Sequence, residues 1–283
     1  MKMVSAFHDL PNYYELVGNL RTGNRLSRTL LTGTEGAPDN YKLNYGGGGD
    51  TETTPRHRHD YEQIRYPLSG DYVIAKDQVL PAGWVAYFPE SVYYGPQVKS
   101  VNLMMLSLQF GGPSGLGYWS VEQRKRAFKA LVAKGGKFEN GIYTWLDEKG
   151  QRHNQDAAEA VVEEAFGRRI RYPEPRYKNL VMMNPEAYSW TNDRNRSGVA
   201  RKTLGSFTER DVRVGFIRLE KGATLPFGLE KSPEILFLKE GAIADGEQRY
   251  GRLSAFSTAT EDQPVALKAL EPTELFYIKL PTF

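Results

Sequence analysis

PRHRHDYEQIRYPLSG, residues 55–70, is the most informative stretch of this 283-residue chain. It holds two of the four histidines, His57 and His59, two positions apart, and Gln63 follows four residues later. Side chains alternate between the two faces of a β-strand, so a strand through this stretch would direct all three to one side. Two imidazoles and an amide oxygen that enter one cavity provide ligands for a divalent metal ion.

Residues on both sides of these histidines also have a characteristic spacing. Thr51 lies before them, and the order is then His57, His59, Gln63 and Gly70. This resembles the first signature motif of the cupin superfamily, which reads glycine, five residues, His-x-His, three or four residues, glutamate, six residues, glycine. Here threonine stands at the first glycine position and glutamine at the glutamate position.

A second motif follows in the order Gly83, Pro89, Ser91, Tyr94 and Val98. It is similar to the second cupin motif, which reads glycine, five residues, Pro-x-Gly, two residues, histidine, three residues, asparagine. Serine, tyrosine and valine replace the last three of these. The resemblance implies a jelly-roll barrel that holds one divalent ion, such as Fe, Mn, Ni or Zn, and it places tyrosine where a third histidine ligand would be.

The composition excludes several other classes of protein. The chain is 40% hydrophobic, with no cysteine and a formal net charge of +3. It has no apolar run of about 18 residues, so we expect no membrane-spanning helix. It has no dense basic tract, so we expect no nucleic-acid partner. The absence of cysteine, and a start without a long apolar core, favour the cytoplasm.

Short strand-like runs separated by turn residues predict an all-β chain. Two helices interrupt them: Ser120 and Gln123 form a capping box before the first, and the second, from about residue 154 to 166, ends at Gly167. We therefore predict two cupin barrels joined by a helical segment, with domains at residues 1–117, 118–170 and 171–283. The predicted strands are 27–33, 40–45, 57–67, 71–76, 83–88, 92–97, 101–110, 179–184, 198–206, 211–220, 234–239, 252–257, 264–269 and 273–280.

The second half repeats the spacing of the first. Residues 222–241 follow the first motif and residues 251–262 the second, but glycine and glutamate replace the histidine pair. The carboxylates of Glu230, Glu234 and Asp262 could hold a hard cation. A purely structural second barrel is favoured, because a fold is retained more readily than a site.

Three further side chains have competing roles in the first barrel. Gln63 either binds the metal or supports a ligand. Tyr94 binds the metal as a phenolate, stands off it as a proton donor, or only packs. Arg65 either clamps a substrate carboxylate or enolate, or extends from the barrel mouth to solvent. Tyr87 and Tyr93 are further candidates for the mouth.

Three functional hypotheses follow from the resemblance. The leading one is a metal-dependent enzyme, of dioxygenase or isomerase and lyase type, that acts on a small, oxygen-rich anionic substrate. The second is a non-catalytic module that binds a small ligand. The third is a metal-free epimerase-like enzyme that uses histidine as base and Tyr94 as acid. A homodimer is the expected assembly, because exposed edge strands often pair.

Overall fold

The computed structural model describes residues 1–5, 14–15, 25–49 and 52–283, so Thr51 lies outside the described residues. Within these ranges no helix is long and apolar enough to cross a membrane. The elements in chain order are β1 Lys2–Ser5, β2 Tyr14–Glu15, β3 Arg25–Thr32, β4 Tyr41–Gly49, β5 Glu52–Thr54, β6 Glu62–Ser69, β7 Tyr72–Ala75, β8 Gln78–Leu80, β9 Val85–Phe88, β10 Gln97–Lys99, β11 Met104–Phe110, α1 Val121–Ala133, β12 Lys137–Glu139, β13 Ile142–Leu146, β14 Arg152–Asp156, α2 Ala157–Phe166, β15 Val181–Met183, a 3₁₀ helix Pro185–Ala187, β16 Thr191–Asn192, β17 Val199–Phe207, β18 Val212–Leu219, β19 Thr224–Phe227, β20 Glu234–Glu240, β21 Ile243–Asp245, β22 Gln248–Tyr250, β23 Ser254–Thr258, β24 Val265–Ala269 and β25 Thr273–Lys279.

Each half of the chain forms a sandwich of a seven-stranded and a four-stranded antiparallel sheet. In the first half the orders are β15-β9-β6-β11-β4-β3-β2 and β5-β10-β7-β8. In the second half they are β1-β23-β20-β25-β18-β17-β16 and β19-β24-β21-β22. The predicted all-β class with two jelly-roll barrels is therefore confirmed.

The two barrels exchange short strands at the ends of their large sheets. The first strand of the chain, β1, pairs with β23 in the second barrel, with Lys2 opposite Ser257. Conversely, β15 pairs with β9 in the first barrel, with Val181 opposite Tyr87. Each large sheet thus ends on a strand from the other half of the sequence, and the predicted domain boundaries remain a prediction.

The same tight turn recurs in both barrels, as the sequence repeat predicts. It follows β6 at Gly70 and β20 at Gly241, where φ is +69° and +90°. A β-carbon would lie 2.7 Å from the carbonyl oxygen of Asn102 at the first position and 2.5 Å from that of Pro272 at the second. Both turns therefore require glycine, for its left-handed backbone and for its lack of a side chain.

The two seven-stranded sheets pack face to face and share one hydrophobic core. Tyr87 stacks on Phe207 with ring centroids 4.2 Å apart, and Tyr66 lies 4.9 Å from Phe276. Strand β6 is buried on both faces: Ile64 and Tyr66 belong to this shared core, whereas the alternate side chains enter the first barrel. The barrels are thus joined by a core rather than by a linker.

The helical segment packs over the end of the first barrel that carries the histidines. The predicted capping box of α1 is present, and α2 ends at Gly167 in the left-handed conformation. The second helix begins at Ala157 rather than near residue 154, because β14 occupies the preceding residues in a three-stranded sheet that the sequence did not predict. Tyr61 and Trp119 contribute to the core of this segment, which connects it to the histidine motif.

The shared core predicts that both barrels unfold together. Replacing Phe207 by alanine should lower the free energy of unfolding by about 3–5 kcal/mol, because it leaves a cavity beside Tyr87. Phe283→Ala, at a site where the side chain is 44% exposed, should cost less than about 1 kcal/mol. Denaturant unfolding followed by circular dichroism checks this. Two separate transitions, with only one shifted by Phe207→Ala, would contradict a common core.

Candidate functional site

Backbone hydrogen bonds bring the two sequence motifs together. The amide nitrogen of His57 donates to the carbonyl of Tyr94 at 2.9 Å, and that of Tyr94 donates to the carbonyl of His57 at 3.0 Å. This is an isolated bridge rather than part of a ladder. The strand predicted for 57–67 begins only at Glu62, and 92–97 is mostly irregular, because pairing between the two segments does not continue as a regular ladder.

The aromatic side chains of the motifs converge. The rings of His57 and His59 lie 4.8 Å apart, and that of Tyr94 lies 4.5 Å from His57 and 6.0 Å from His59, centroid to centroid. The Nδ1 atom of His57 is 2.6 Å from the carbonyl oxygen of Pro55. A carbonyl only accepts, so Nδ1 carries the hydrogen and the lone pair is on Nε2. This is the tautomer that metal-binding histidines commonly adopt.

The amide of Gln63 is oriented by its neighbours. Its Oε1 accepts from Nη2 of Arg65 at 2.8 Å and from Nε2 of Gln109 at 3.3 Å, whereas its Nε2 donates to Oη of Tyr94 at 2.6 Å. A guanidinium group has only donors, so the atom facing Arg65 must be the oxygen. Metal binding by Gln63 stays a prediction, and it would require this amide to turn round.

Strand parity separates Gln63 from the preceding carboxyl group, as the sequence predicted. Glu62 points to the other face of β6, where its Oε1 accepts a hydrogen bond from the hydroxyl of Tyr87. Burial raises the pKa of Glu62 well above its usual range. Tyr87 is itself fully buried in the core between the barrels, so its predicted place at the mouth was wrong.

Arg65 lies inside the first barrel, with 8% of its surface exposed. Its guanidinium donates to the hydroxyl of Tyr72 and to Gln63, and its central carbon lies 5.1 Å from the ring centroid of Phe88. It is not among the residues that line the cavity at the histidines. These contacts are those of a group that positions Gln63. The role of Arg65 as a clamp for a substrate carboxylate or enolate stays a prediction.

A cavity of about 250 Å³ opens at the histidine pair. Its walls include His57 and His59 from the barrel, Trp119 from the connection to α1, and Tyr172 after α2. Tyr93, at its edge as predicted, is 48% exposed. The helical segment therefore contributes to the walls of a pocket that is also lined by the two histidines of the candidate metal site.

Carboxyl groups of this cavity are bound to the helical segment or buried. Oδ1 of Asp156 accepts from the backbone of Ala158 at 2.8 Å, and Oε1 of Glu159 accepts from the hydroxyl of Tyr172. Burial raises the pKa of Asp60 to about 6. The carboxyl group of Asp60, next to His59, therefore titrates closer to neutral pH than that of an exposed aspartate.

The sequence reasoning missed Arg56, Arg58, Trp119 and Tyr172 as lining residues. On a regular strand the two arginines would face away from the histidines. The irregular backbone at this point lets both sets of side chains reach one cavity. The alternation of arginine and histidine in PRHRH was the available signal, and the assumption of strand geometry concealed it.

The structure was compared with known proteins. No family model and no curated protein matches the sequence. Among solved structures, a putative dioxygenase from Nostoc punctiforme is similar at 9% identity and a TM-score of 0.55, over 99% of this chain and 87% of that one. Bacillus subtilis oxalate decarboxylase, which has Mn(II) centres, is 12% identical with a TM-score of 0.54, over 100% of this chain and 78% of that one. Streptomyces albus HEPD, with 2-hydroxyethylphosphonate and Fe(II) bound, is 11% identical with a TM-score of 0.55, over 99% and 76%.

This chain has a bicupin fold. At these identities the likeness concerns the fold alone.

The second barrel does not bring Glu230, Glu234 and Asp262 together as one group. Glu230 pairs with Arg213 at 3.0 Å, whereas Asp262 pairs with the amino terminus at 3.1 Å. Glu234 accepts from the amide of Gly228 and from the hydroxyl of Tyr277, both at 2.9 Å. Each carboxylate has other partners, and the described part of the chain contains no group of three His, Cys, Asp or Glu side chains suited to a metal ion. The cation site considered from the sequence does not form here.

The polar network inside the first barrel predicts a cost for removing Arg65. Arg65→Met keeps much of the side-chain length but leaves Gln63 and Tyr72 without this partner, so the free energy of unfolding should fall by about 1–3 kcal/mol. The control Arg249→Met, at an exposed position on β22, should be close to neutral. Thermal unfolding measures both. Equal melting temperatures for the two variants would contradict a structural role for the network.

Proposed function

We propose that this bicupin is a metal-dependent enzyme that acts on a small, oxygen-rich anionic substrate in the first barrel. The observation that carries the proposal is the convergence of the rings of His57, His59 and Tyr94, whose centroids lie 4.5–6.0 Å apart. The two histidines also line a cavity, and Tyr94 is buried behind them without lining it. Two histidines and a tyrosine from separate motifs meet because the two backbone segments bond to each other.

The donor set suits a divalent metal ion of borderline character. His57 and His59 would supply imidazole nitrogens and Tyr94 a phenol oxygen, ligands that Fe, Mn, Ni and Zn accept to different degrees. A divalent ion there would act as a Lewis acid towards oxygen atoms of the substrate or, if redox-active, as a site for O₂. Three protein ligands leave positions for the substrate.

The surrounding residues hold the phenol in place. Gln63 donates to Tyr94 through Nε2, and Arg65 fixes the amide that does so. Tyr94 is only 4% exposed, so water has little access to its ring. Whether it binds a metal or donates a proton, its oxygen is held at one place by this chain of two hydrogen bonds.

The solved structures of similar fold give support of a general kind. One contains Mn(II) centres and another contains Fe(II) with 2-hydroxyethylphosphonate, a small anionic molecule. A third is described as a putative dioxygenase. They support a metal-dependent reaction on a small molecule as the class of function.

The metal-free acid–base reaction is the second candidate. Two observations favour it: no third His, Cys, Asp or Glu joins the two histidines within the described residues, and the amide of Gln63 turns its nitrogen to Tyr94. Histidine would then act as base and Tyr94 as acid. Activity that survives chelators selects this candidate, and tight ligand binding without turnover selects a binding module.

Cytoplasmic location and a homodimer remain predictions.

Metal analysis tests the leading proposal. Protein purified without a His-tag or chelator and incubated with Fe, Mn, Ni and Zn should carry close to one metal ion per chain by elemental mass spectrometry. His57→Ala removes a ligand, so bound metal should fall by at least about tenfold. His153→Ala is the matched control, because His153 lies apart from the site and bonds to Asp147 at 3.0 Å.

Tyr94→Phe then separates the roles of the phenol. Loss of metal would make Tyr94 a ligand, whereas retained metal with lost turnover would make it a proton donor. Wild-type protein that binds none of the four metals would overturn the metal-dependent proposal.

A further inference from the structure

We propose that Arg56 and Arg58 form an anion subsite in the cavity at the histidine pair. This subsite would hold the carboxylate of a small planar hydroxy acid, whose hydroxyl oxygens lie towards His57 and His59. The placement of the hydroxyl oxygens rests on the proposed function, but the anion subsite does not. Both arginines line the same cavity as the two histidines.

Aromatic faces hold the two guanidinium groups. The central carbon of Arg58 lies 3.8 Å from the ring centroid of Tyr172 and 4.7 Å from that of Tyr93, so Arg58 contacts rings on both sides of the cavity edge. Arg56 lies 4.4 Å from the same Tyr93 ring. A guanidinium that stacks on a ring keeps its N–H groups around its own edge, where they can bind a carboxylate with two parallel hydrogen bonds.

Neither arginine has a carboxylate partner among the residues that the structure describes. Most other arginines with short contacts here belong to ion pairs, such as Arg176 with Glu209 at 2.6 Å. Three carboxyl groups also line this cavity, and none forms an ion pair with either arginine within the described residues. Asp156 caps α2, Glu159 accepts from Tyr172, and Asp60 is 3% exposed. Two guanidinium groups on a cavity wall that form no ion pair with the residues described are suited to an anionic ligand.

An independent observation on the same wall also points to a ligand rich in acceptors. Trp119 lines the cavity and is 9% exposed, and its indole nitrogen has no hydrogen-bond acceptor within the described part of the chain. A buried N–H without an acceptor costs free energy, which an oxygen atom brought by a ligand or its bound water would recover. Arg56, Arg58 and Trp119 thus present hydrogen-bond donors to the same cavity.

The size and walls of the cavity limit the ligand. Its volume of about 250 Å³ is below the range of about 300–1,000 Å³ typical for drug-sized ligands. The rings of Tyr61, Tyr93, Trp119 and Tyr172 supply flat aromatic surfaces to its walls. A single hydroxylated ring with one carboxylate matches the volume, the flat walls and the two cations together.

Two probes that differ only in the carboxylate test the subsite. Calorimetry on the metal-stripped full-length protein should show binding of 2,3-dihydroxybenzoate, with weaker binding of catechol. Arg58→Gln should weaken 2,3-dihydroxybenzoate about tenfold, and the Arg56→Gln/Arg58→Gln double variant more, because each loses charge-assisted hydrogen bonds. Catechol affinity should change less than about twofold in both variants, since catechol has no carboxylate and therefore never forms these hydrogen bonds.

Arg249→Gln, which removes an exposed arginine outside the cavity, controls for net charge and should leave both affinities unchanged. Unaltered circular dichroism of each variant confirms that it folds. The subsite is overturned if wild-type protein does not bind 2,3-dihydroxybenzoate, if the double variant binds it as wild type does, or if both probes weaken equally. Metal content of the same wild-type protein, measured after incubation with the four metals and before the metal is stripped, separates this failure from failure of the metal-dependent function.

Discussion

The burial of β6 on both faces is the constraint on which the rest of this structure depends. One face, with Ile64 and Tyr66, joins the core that the two barrels share. The other face carries Gln63 and Arg65 into the first barrel. A slip of one residue would exchange these faces, placing polar groups in the shared core and apolar groups at the site, so packing between the barrels sets the register of the site.

The same alternation keeps the neighbouring carboxyl group of Glu62 away from the position of Gln63, where the cupin motif has glutamate. Glu62 lies one residue before Gln63 and therefore points into the shared core, where burial raises its pKa. Gln63 takes the inward place and is oriented by Arg65. A divalent ion bound by neutral ligands keeps most of its charge, which strengthens its attraction for anions. Arg56 and Arg58, which line the cavity, also attract anions.

Local rules predicted the parts of the fold that depend on near neighbours. The capping box at Ser120 and the glycine turns at Gly70 and Gly241 formed as expected, because a few adjacent residues determine each of them. The exchange of β1 and β15 between barrels was not predicted, since pairing of residues far apart in sequence leaves no local pattern.

The candidate site was also predicted only in part. The meeting of His57 with Tyr94 followed from the spacing of two motifs. Strand alternation would place Arg56 and Arg58 on the side away from the histidines, because it assumes a regular strand, whereas the backbone at the histidines is irregular. The turned amide of Gln63 depends on Arg65, a contact within the barrel interior that spacing cannot reveal.

The central claim is that His57, His59 and Tyr94 form a metal centre. The most direct test is an anomalous difference map from crystals of the protein soaked in Mn(II) or Zn(II). The account predicts one strong peak in the first barrel, about 2.0–2.2 Å from a ring nitrogen of each histidine. No peak there, or a peak only among the carboxylates of the second barrel, would contradict it.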